Sequence, residues 1–330
     1  MRNFQLLTCR PEDDVFKALP LTLYASGTSI ATDVNREYLK ECLVVVESEK
    51  PVARLTIYLN ELIRIDNEKT ALIGNYECID DDVVAAFILE EAFRIIRNLG
   101  IQRALGPMNG STWDHYRFKS SDNAPFLSEA QNKPWYIRQF EEAGFQKCAH
   151  YFSALDRHME SDRPSWIERE QELKGIGMSI RGMELERLEE ELKSVYHFNL
   201  IAFTRNEFYT PIGEERFLEK YLPLKTLIHP NLVRIAENSS GEMIGYIFCF
   251  LNLMNRDEKQ LIIKTIARHP DKLWRGLGQA MASEVIRYAK SIGCNSIIHA
   301  YMFDDGTSAP VSANNNGENW AQYVLFAKTL

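Results

Sequence analysis

The sequence predicts an α/β fold in which one order of strands and helices occurs twice, and three observations carry that expectation. At 330 residues, 45% hydrophobic and 25% charged, the chain has the composition of a globular protein and the length of two ordinary domains. Apolar runs of strand length surround one long amphipathic segment in each half. Both amphipathic segments end at a glycine, and superposing Gly293 on Gly100 (293 − 100 = 193) brings Val84, Ile88, Ala92, Ile95 and Leu99 onto Leu277, Met281, Val285, Tyr288 and Ile292. Each set has the four-four-three-four spacing of a single helical stripe, so an internal duplication is expected.

The elements follow in order. In the first half, "CLVVVES" and "PVARLTIYL" read as a hairpin turning at Glu49-Lys50, and "TALIGNYECI" is a further strand. A helix from about Asp82 to Leu99, capped by Gly100, leads into the strand "IQRALGPM". In the second half "NLVRIAEN" and "MIGYIFCFL" flank the turn "SSGE"; "LIIKTIARH", a helix from Arg275 to Ile292, Gly293 and the strand "CNSIIHAYM" come next. The charged stretch "DRHMESDRPSWIEREQELKG", with Pro164, has the texture of a connector. The expected division is a unit at 1–157, a connector at 158–175 and a second unit at 176–330.

Charge narrows the partners. A net charge of −8 argues against nucleic acid or an anionic membrane, since either would favour a basic face. Cys9, Cys42, Cys78, Cys148, Cys249 and Cys294 form no CxxC pair, and most sit in apolar runs, as thiols in a reducing compartment do. The opening "MRNFQLLTCRPEDD" meets acidic residues too soon for a signal peptide, and "MIGYIFCFLNLM" is too short to span a bilayer. A cytoplasmic location is expected. No His, Cys, Asp or Glu group has ligand spacing, so no metal is expected.

The stretch "HPDKLWRGLGQAMASEV" places Arg275, Gly276 and Gly278 where a strand turns into a helix. The first N–H groups of a helix lack partners, and with the helix dipole they form a site for an anion such as a pyrophosphate. Glycines let the backbone approach phosphate oxygens, and Arg275 adds donors. The alternative is that both glycines only permit close packing of helix on strand. Spacing alone leaves the two readings level.

"TIARHPDKLWRGLGQAM", with Arg275-x-x-Gly278-x-Ala280, resembles the acyl-CoA-binding signature of the Gcn5-related N-acetyltransferases (GNAT), and the hairpin, the later strands and the terminal "YVLFAKTL" fit the same family. The resemblance implies two tandem GNAT-like domains, each a mixed, mostly antiparallel sheet flanked by helices. "GPMNGSTWDHYRF" and "WYIRQFEEAGF" resemble the later part of the first. It also implies acetyl-CoA as acyl donor, bound by Ile266, Ala267, Arg275, Gly276, Leu277, Gly278, Gln279 and Ala280, and a small-molecule or peptide amine as acceptor. In the first half the offset puts Asp82, Val83, Ala85 and Phe87 at the positions of Arg275, Gly276, Gly278 and Ala280. Asp80, Asp81 and Asp82 would repel a pyrophosphate, so that half is expected to lack cofactor.

The implied reaction is direct attack of a neutral amine on a thioester, which needs positioning, proton removal and stabilisation of the thioester oxygen. The family often protonates the leaving thiolate with a tyrosine on the helix after the fifth strand. Here "DDGTSAPVSANNNGENWAQY" has none before Tyr323, which becomes the catalytic candidate, with Ser308 as fallback. Gly306 and Thr307 stand where the family often has asparagine. Asp304, Asp305, His269 and His299 could move protons, but paired acids in a loop are ordinarily solvated, and His299 in "SIIHAYM" reads as a core histidine. Asn109, Ser111, Trp113, His115 and Tyr116 face a substrate or build an ordered loop. Two functions stand: an acyl-CoA-dependent N-acyltransferase, and a non-catalytic coenzyme A sensor or scaffold.

Overall fold

The computed structural model describes residues 2–25, 33–129, 131–204, 206–304 and 317–330. Its strands are β1 (Gln5–Cys9), β2 (Leu39–Glu47), β3 (Lys50–Ile65), β4 (Glu68–Cys78), β5 (Arg103–Gly106), β6 (Phe118–Lys119), β7 (Gln146–Asp156), β8 (Ser179–Gly182), β9 (Val233–Glu237), β10 (Met243–Leu251), β11 (Gln260–Arg268), β12 (Ser296–Phe303) and β13 (Glu318–Thr329). The helices are α1 (Asp14–Leu23), α2 (Asp82–Asn98), α3 (Trp135–Glu142), α4 (Pro164–Gly175), α5 (Leu188–Ala202), α6 (Glu214–Tyr221) and α7 (Leu277–Ser291). The β2–β3 hairpin turns at Ser48-Glu49, one residue before the expected place. Both residues have positive φ, 51° and 65°, as a tight two-residue hairpin loop requires.

The strands form one mixed sheet in the order β1-β2-β3-β4-β5-β13-β7-β12-β11-β10-β9-β8, with β6 on β13. Two discrete sheets, as the sequence led us to expect, are therefore not what forms. The reason lies in the last strand of each half. β13 inserts between β5 and β7, and β7 inserts between β13 and β12, so each half completes the sheet of the other. Val324 and Phe326 of β13 are buried with Tyr136, Phe140 and Phe145 in the core over α2.

On either side of this seam the order of elements is repeated. The offset of 193 also carries Lys50 onto Met243 and Arg103 onto Ser296, the first residues of β3 and β10 and of β5 and β12. Among the described residues two neighbouring pairs are parallel, β4 with β5 and β11 with β12, each joined by a crossover helix, α2 or α7. The buried residues of α2 (Val84, Ala85, Ile88, Leu89, Ala92, Phe93, Ile96) superpose on the inward face of α7 from Leu277 to Ala289. The stripe is thus centred one position away from the one read in sequence: Leu99 is 38% exposed, and Ile95, Tyr288 and Ile292 only border the core.

The connector is not a free tether. Leu173 of α4 is fully buried with the α7 core, and Arg287 of α7 reaches Glu170 and Asp162. All six cysteines are free. Four are buried, whereas Cys148 is exposed. Among the described residues no helix is long and apolar enough to cross a membrane, and no group of His, Cys, Asp or Glu could hold a metal ion.

Candidate functional site

The two parallel pairs set up the site. β11 and β12 stay paired from Gln260↔Ser296 to Ile263↔His299 and then part. Beyond that point β11 is bonded only to β10 and β12 only to β7, so a backbone edge on each strand faces an opening. A β-bulge marks the same place. Phe248 and Cys249 of β10 oppose Thr265 and Ile263, which leaves Lys264 as the extra residue. The bulge has a directional consequence: Ile263 packs against α7, whereas Thr265 joins the cavity wall under α5 and α6. Ile266 and Ala267 lie on the edge that faces the opening, Ile266 packed on the α7 side and Ala267 on the α5 side.

The glycine loop lies beyond the end of β11. Gly276 is the N-cap of α7 with φ of 92°, and no side chain caps this helix. Its neighbours Leu277 and Ala280 are buried core anchors, so only their backbones are available to a ligand. A Cβ on Gly278 would lie 3.2 Å from Ile266 Cγ2. That distance supports the packing reading for Gly278, while the uncapped N-terminus and positive φ of Gly276 support the anion reading; the two glycines divide the roles. Gln279 completes the first turn. Arg268, Lys272 and Arg275 surround the loop, and none has an ion-pair partner among the described residues. Arg169 of α4 shapes it from behind, donating to Arg275 O at 2.8 Å and Leu273 O at 3.0 Å.

The equivalent place in the first half is closed. There Asp81 caps α2, accepting from the N–H groups of Val83 and Val84 at 3.0 and 3.2 Å, so a carboxylate of the chain itself takes the anion position. The aspartates are not a bare acidic patch, because Arg138 binds Asp80 and Asp82 and Arg2 binds Asp81. The gap between β4 and β5 is filled by the chain after β5: Met108 N donates to Ile73 O, and Asn75 N donates to Asn109 Oδ1, both at 2.8 Å. A Cβ on Gly74 would meet Met108 O and Asn109 Oδ1 at 2.5 Å.

The remaining candidates fall as follows. Tyr323 does not open the terminal strand. It lies in the middle of β13, 2% exposed, donating to Glu129 and in hydrogen-bond contact with Ser153 Oγ at 3.1 Å. Burial, with Glu129 beside it, pushes its hydroxyl far above the usual tyrosine range. His299 is a core histidine whose imidazole burial pushes down to about 4. His269 accepts from Asp271 N through Nδ1, Asp304 is exposed, and Asp305, Gly306, Thr307 and Ser308 lie outside the described residues. Asn109, Ser111 and Trp113 build the loop after β5, and Trp113 Nε1 donates to Thr210 O at 2.8 Å across the two halves. Trp113 also lines an apolar cavity with Val195, Phe217, Tyr246, Phe248 and Thr265. His115 is exposed, and the Tyr116 hydroxyl accepts from Arg117.

Sequence reading missed Arg117, Arg169 and Lys264. The Arg117 guanidinium stands over the rings of Tyr116, Tyr151 and Tyr301 at 4.2, 4.7 and 4.3 Å, and Lys264 Nζ lies 3.9 Å from the Tyr301 ring centre. Burial pushes the Lys264 amine down to about 7, with Arg117 and Lys220 adding to the shift. The one available signal was a lysine inside the apolar run "LIIKTIAR".

Parted parallel strands beside a glycine-capped helix define a fold class, and the chain has the fold of the GNAT acetyltransferases. The profile described as "Acetyltransferase (GNAT) family" matches residues 192–309, which include β11, the glycine loop, α7 and β12. Protein YghO of Escherichia coli (strain K12) is 22% identical over 193 residues, 58% of this chain and 50% of that protein, so the match spans half of this curated relative's length. The glucosamine N-acetyltransferase region of a fungal multi-domain GH3 β-N-acetylglucosaminidase superposes with a TM-score of 0.59 at 13% identity, covering 99% of this chain and 38% of that one. A tandem GNAT protein from the clavulanic acid biosynthesis pathway superposes with a TM-score of 0.57 at 12% identity, covering 99% of this chain and 98% of that one.

Proposed function

We propose that the protein is an N-acyltransferase that takes its acyl group from acetyl-CoA, with cofactor held by the second half of a tandem arrangement and none by the first. The observation that carries the reading is the parting of β11 and β12 after Ile263 and His299, next to an α7 N-terminus that no side chain caps. The backbone N–H groups of Gly276, Leu277 and Gly278, with Arg275, would hold a pyrophosphate, and the edge at Ile266 and Ala267 would hold the arm that leads from it. When bound, the cofactor supplies an acyl thioester for direct attack by an amine. The chain positions that amine, excludes water beneath α5 and α6, and offers backbone donors along β11 to the charge that develops on the thioester oxygen.

Division into units at 1–157 and 176–330 belongs to the same proposal, as does a degenerate first unit, supported by the Asp81 cap and the filled gap at Gly74. Tyr323 is read as a buried strut, because its hydroxyl is engaged by Glu129 and Ser153. That observation also favours a second reading, coenzyme A binding without turnover. Thioester consumption on a panel of amines separates the two. Release of free thiol above the amine-free rate supports transfer, and binding with no release supports the sensor.

A further inference from the structure

Two cations, one from each half, meet at the ring of Tyr301. Among the described residues, Arg117 and Lys264 have no carboxylate within ion-pair distance, and Lys264 Nζ has no hydrogen-bond partner, yet both cations lie against the ring of Tyr301. Both side chains are half-buried, and holding two cations side by side with no counter-charge carries a cost that an anionic ligand would relieve. The other charged groups near Lys264 do not relieve it. Lys220 is taken up by Asp114 at 3.0 Å and by the Trp113 carbonyl, Asp114 is shared with Arg216, and His115 is exposed.

The next residue along β11 from Lys264 belongs to the wall of an apolar space. Thr265, the neighbour of Lys264 at the bulge, lines the cavity with Trp113, Val195, Phe217, Tyr246 and Phe248. Asn199 brings an amide to the wall, and its side chain already accepts from Tyr246 OH at 2.8 Å. A ligand that satisfies all of this is an anion at one end and bulky and apolar at the other. It would sit where β11 parts from β12, next to the edge assigned to the thioester.

We propose that the acyl acceptor is an amino acid with a bulky apolar side chain, its carboxylate held by Arg117 and Lys264 and its side chain in the cavity beneath α5 and α6. This inference rests on the acyl-transfer reading above, since it takes the α-amine to be the attacking group. Arg117 and Lys264 together give a planar fork and a point charge for the carboxylate, while the aromatic wall selects the side chain.

The test is calorimetric titration of the full chain, with and without coenzyme A, against L-phenylalanine, 3-phenylpropionate and phenethylamine. L-phenylalanine and 3-phenylpropionate should bind, and phenethylamine, which lacks the carboxylate, should bind at least tenfold more weakly. Arg117→Gln and Lys264→Met should each weaken the two carboxylates at least tenfold, and Lys264→Arg should restore them. Methionine is nearly as long as lysine and removes a charge that has no counter-charge among the described residues, so Lys264→Met carries the test if Arg117→Gln does not fold. Equal affinity for phenethylamine and phenylalanine, no binding of any of the three, or unchanged affinity in the folded Lys264→Met protein would each overturn the inference. Coenzyme A titrated into the same samples separates the failures. Coenzyme A binding without carboxylate preference removes only the acceptor assignment, and carboxylate binding without coenzyme A binding removes the acyl-transfer reading.

Discussion

A lysine amine held near pH 7 on an interior strand gives the clearest single-residue consequence. Lys264 has an ordinary value of 10.5 and a folded value of about 7, so above 10.5 the amine is neutral in both states and folding carries no penalty. Below 7 it is charged in both, and the folded state bears the full cost of desolvation. Stability owed to this residue therefore rises as pH goes from about 7 to about 10.5. Denaturant midpoints at pH 6.5 and 9.5 should show wild type gaining more than Lys264→Met over that interval; parallel changes would refute the assignment. Tyr323 makes the opposite case, a candidate reactive group that the fold engages elsewhere. Tyr323→Phe should cost about 1 kcal/mol per lost hydrogen bond while leaving thioester turnover unchanged. A collapse of turnover in the folded variant would return Tyr323 to a catalytic role.

Between single residues and the whole lie the helix starts, where two helices of one pattern diverge. α2 caps itself with Asp81, and α7 leaves its first turn uncapped. Asp81→Ala should lower stability by about 1 kcal/mol, measured by denaturant unfolding, without altering coenzyme A binding. Asp81→Asn keeps a capping oxygen and should cost less. At this scale much was legible from sequence, because helical periodicity, the closing glycines Gly100 and Gly293, and the Arg275-Gly276 turn are local signals. What was not legible depends on partners distant in the chain. Arg169 shapes the glycine loop from a helix about a hundred residues away, and Asn109 closes the first opening by accepting from Asn75 N, a contact that its own neighbourhood does not announce. The bulge at Lys264 needs a β10 that skips a residue, and alternation within β11 cannot show it.

Taken as a whole, the molecule depends on the exchange of final strands. Hydrophobic pattern marks the terminal strand β13 but carries no record of which neighbours it chooses, and β7 was not read as a strand at all, so two separate sheets were the natural expectation from sequence. Because Val324 and Phe326 belong to the core over α2, and β7 separates β12 from β13, residues 1–157 and 158–330 produced separately should each fail to unfold cooperatively. Produced together, they should assemble into a complex that does; a cooperative transition in either piece alone would contradict the exchange. The proposed division, cofactor in one half and none in the other, is open to calorimetric titration of the intact chain with acetyl-CoA. The titration should give one site per chain, weakened at least tenfold, about 1.4 kcal/mol, by Gly278→Asp and untouched by Asp81→Asn. Two sites per chain, no binding, or an unaltered affinity in folded Gly278→Asp would contradict it.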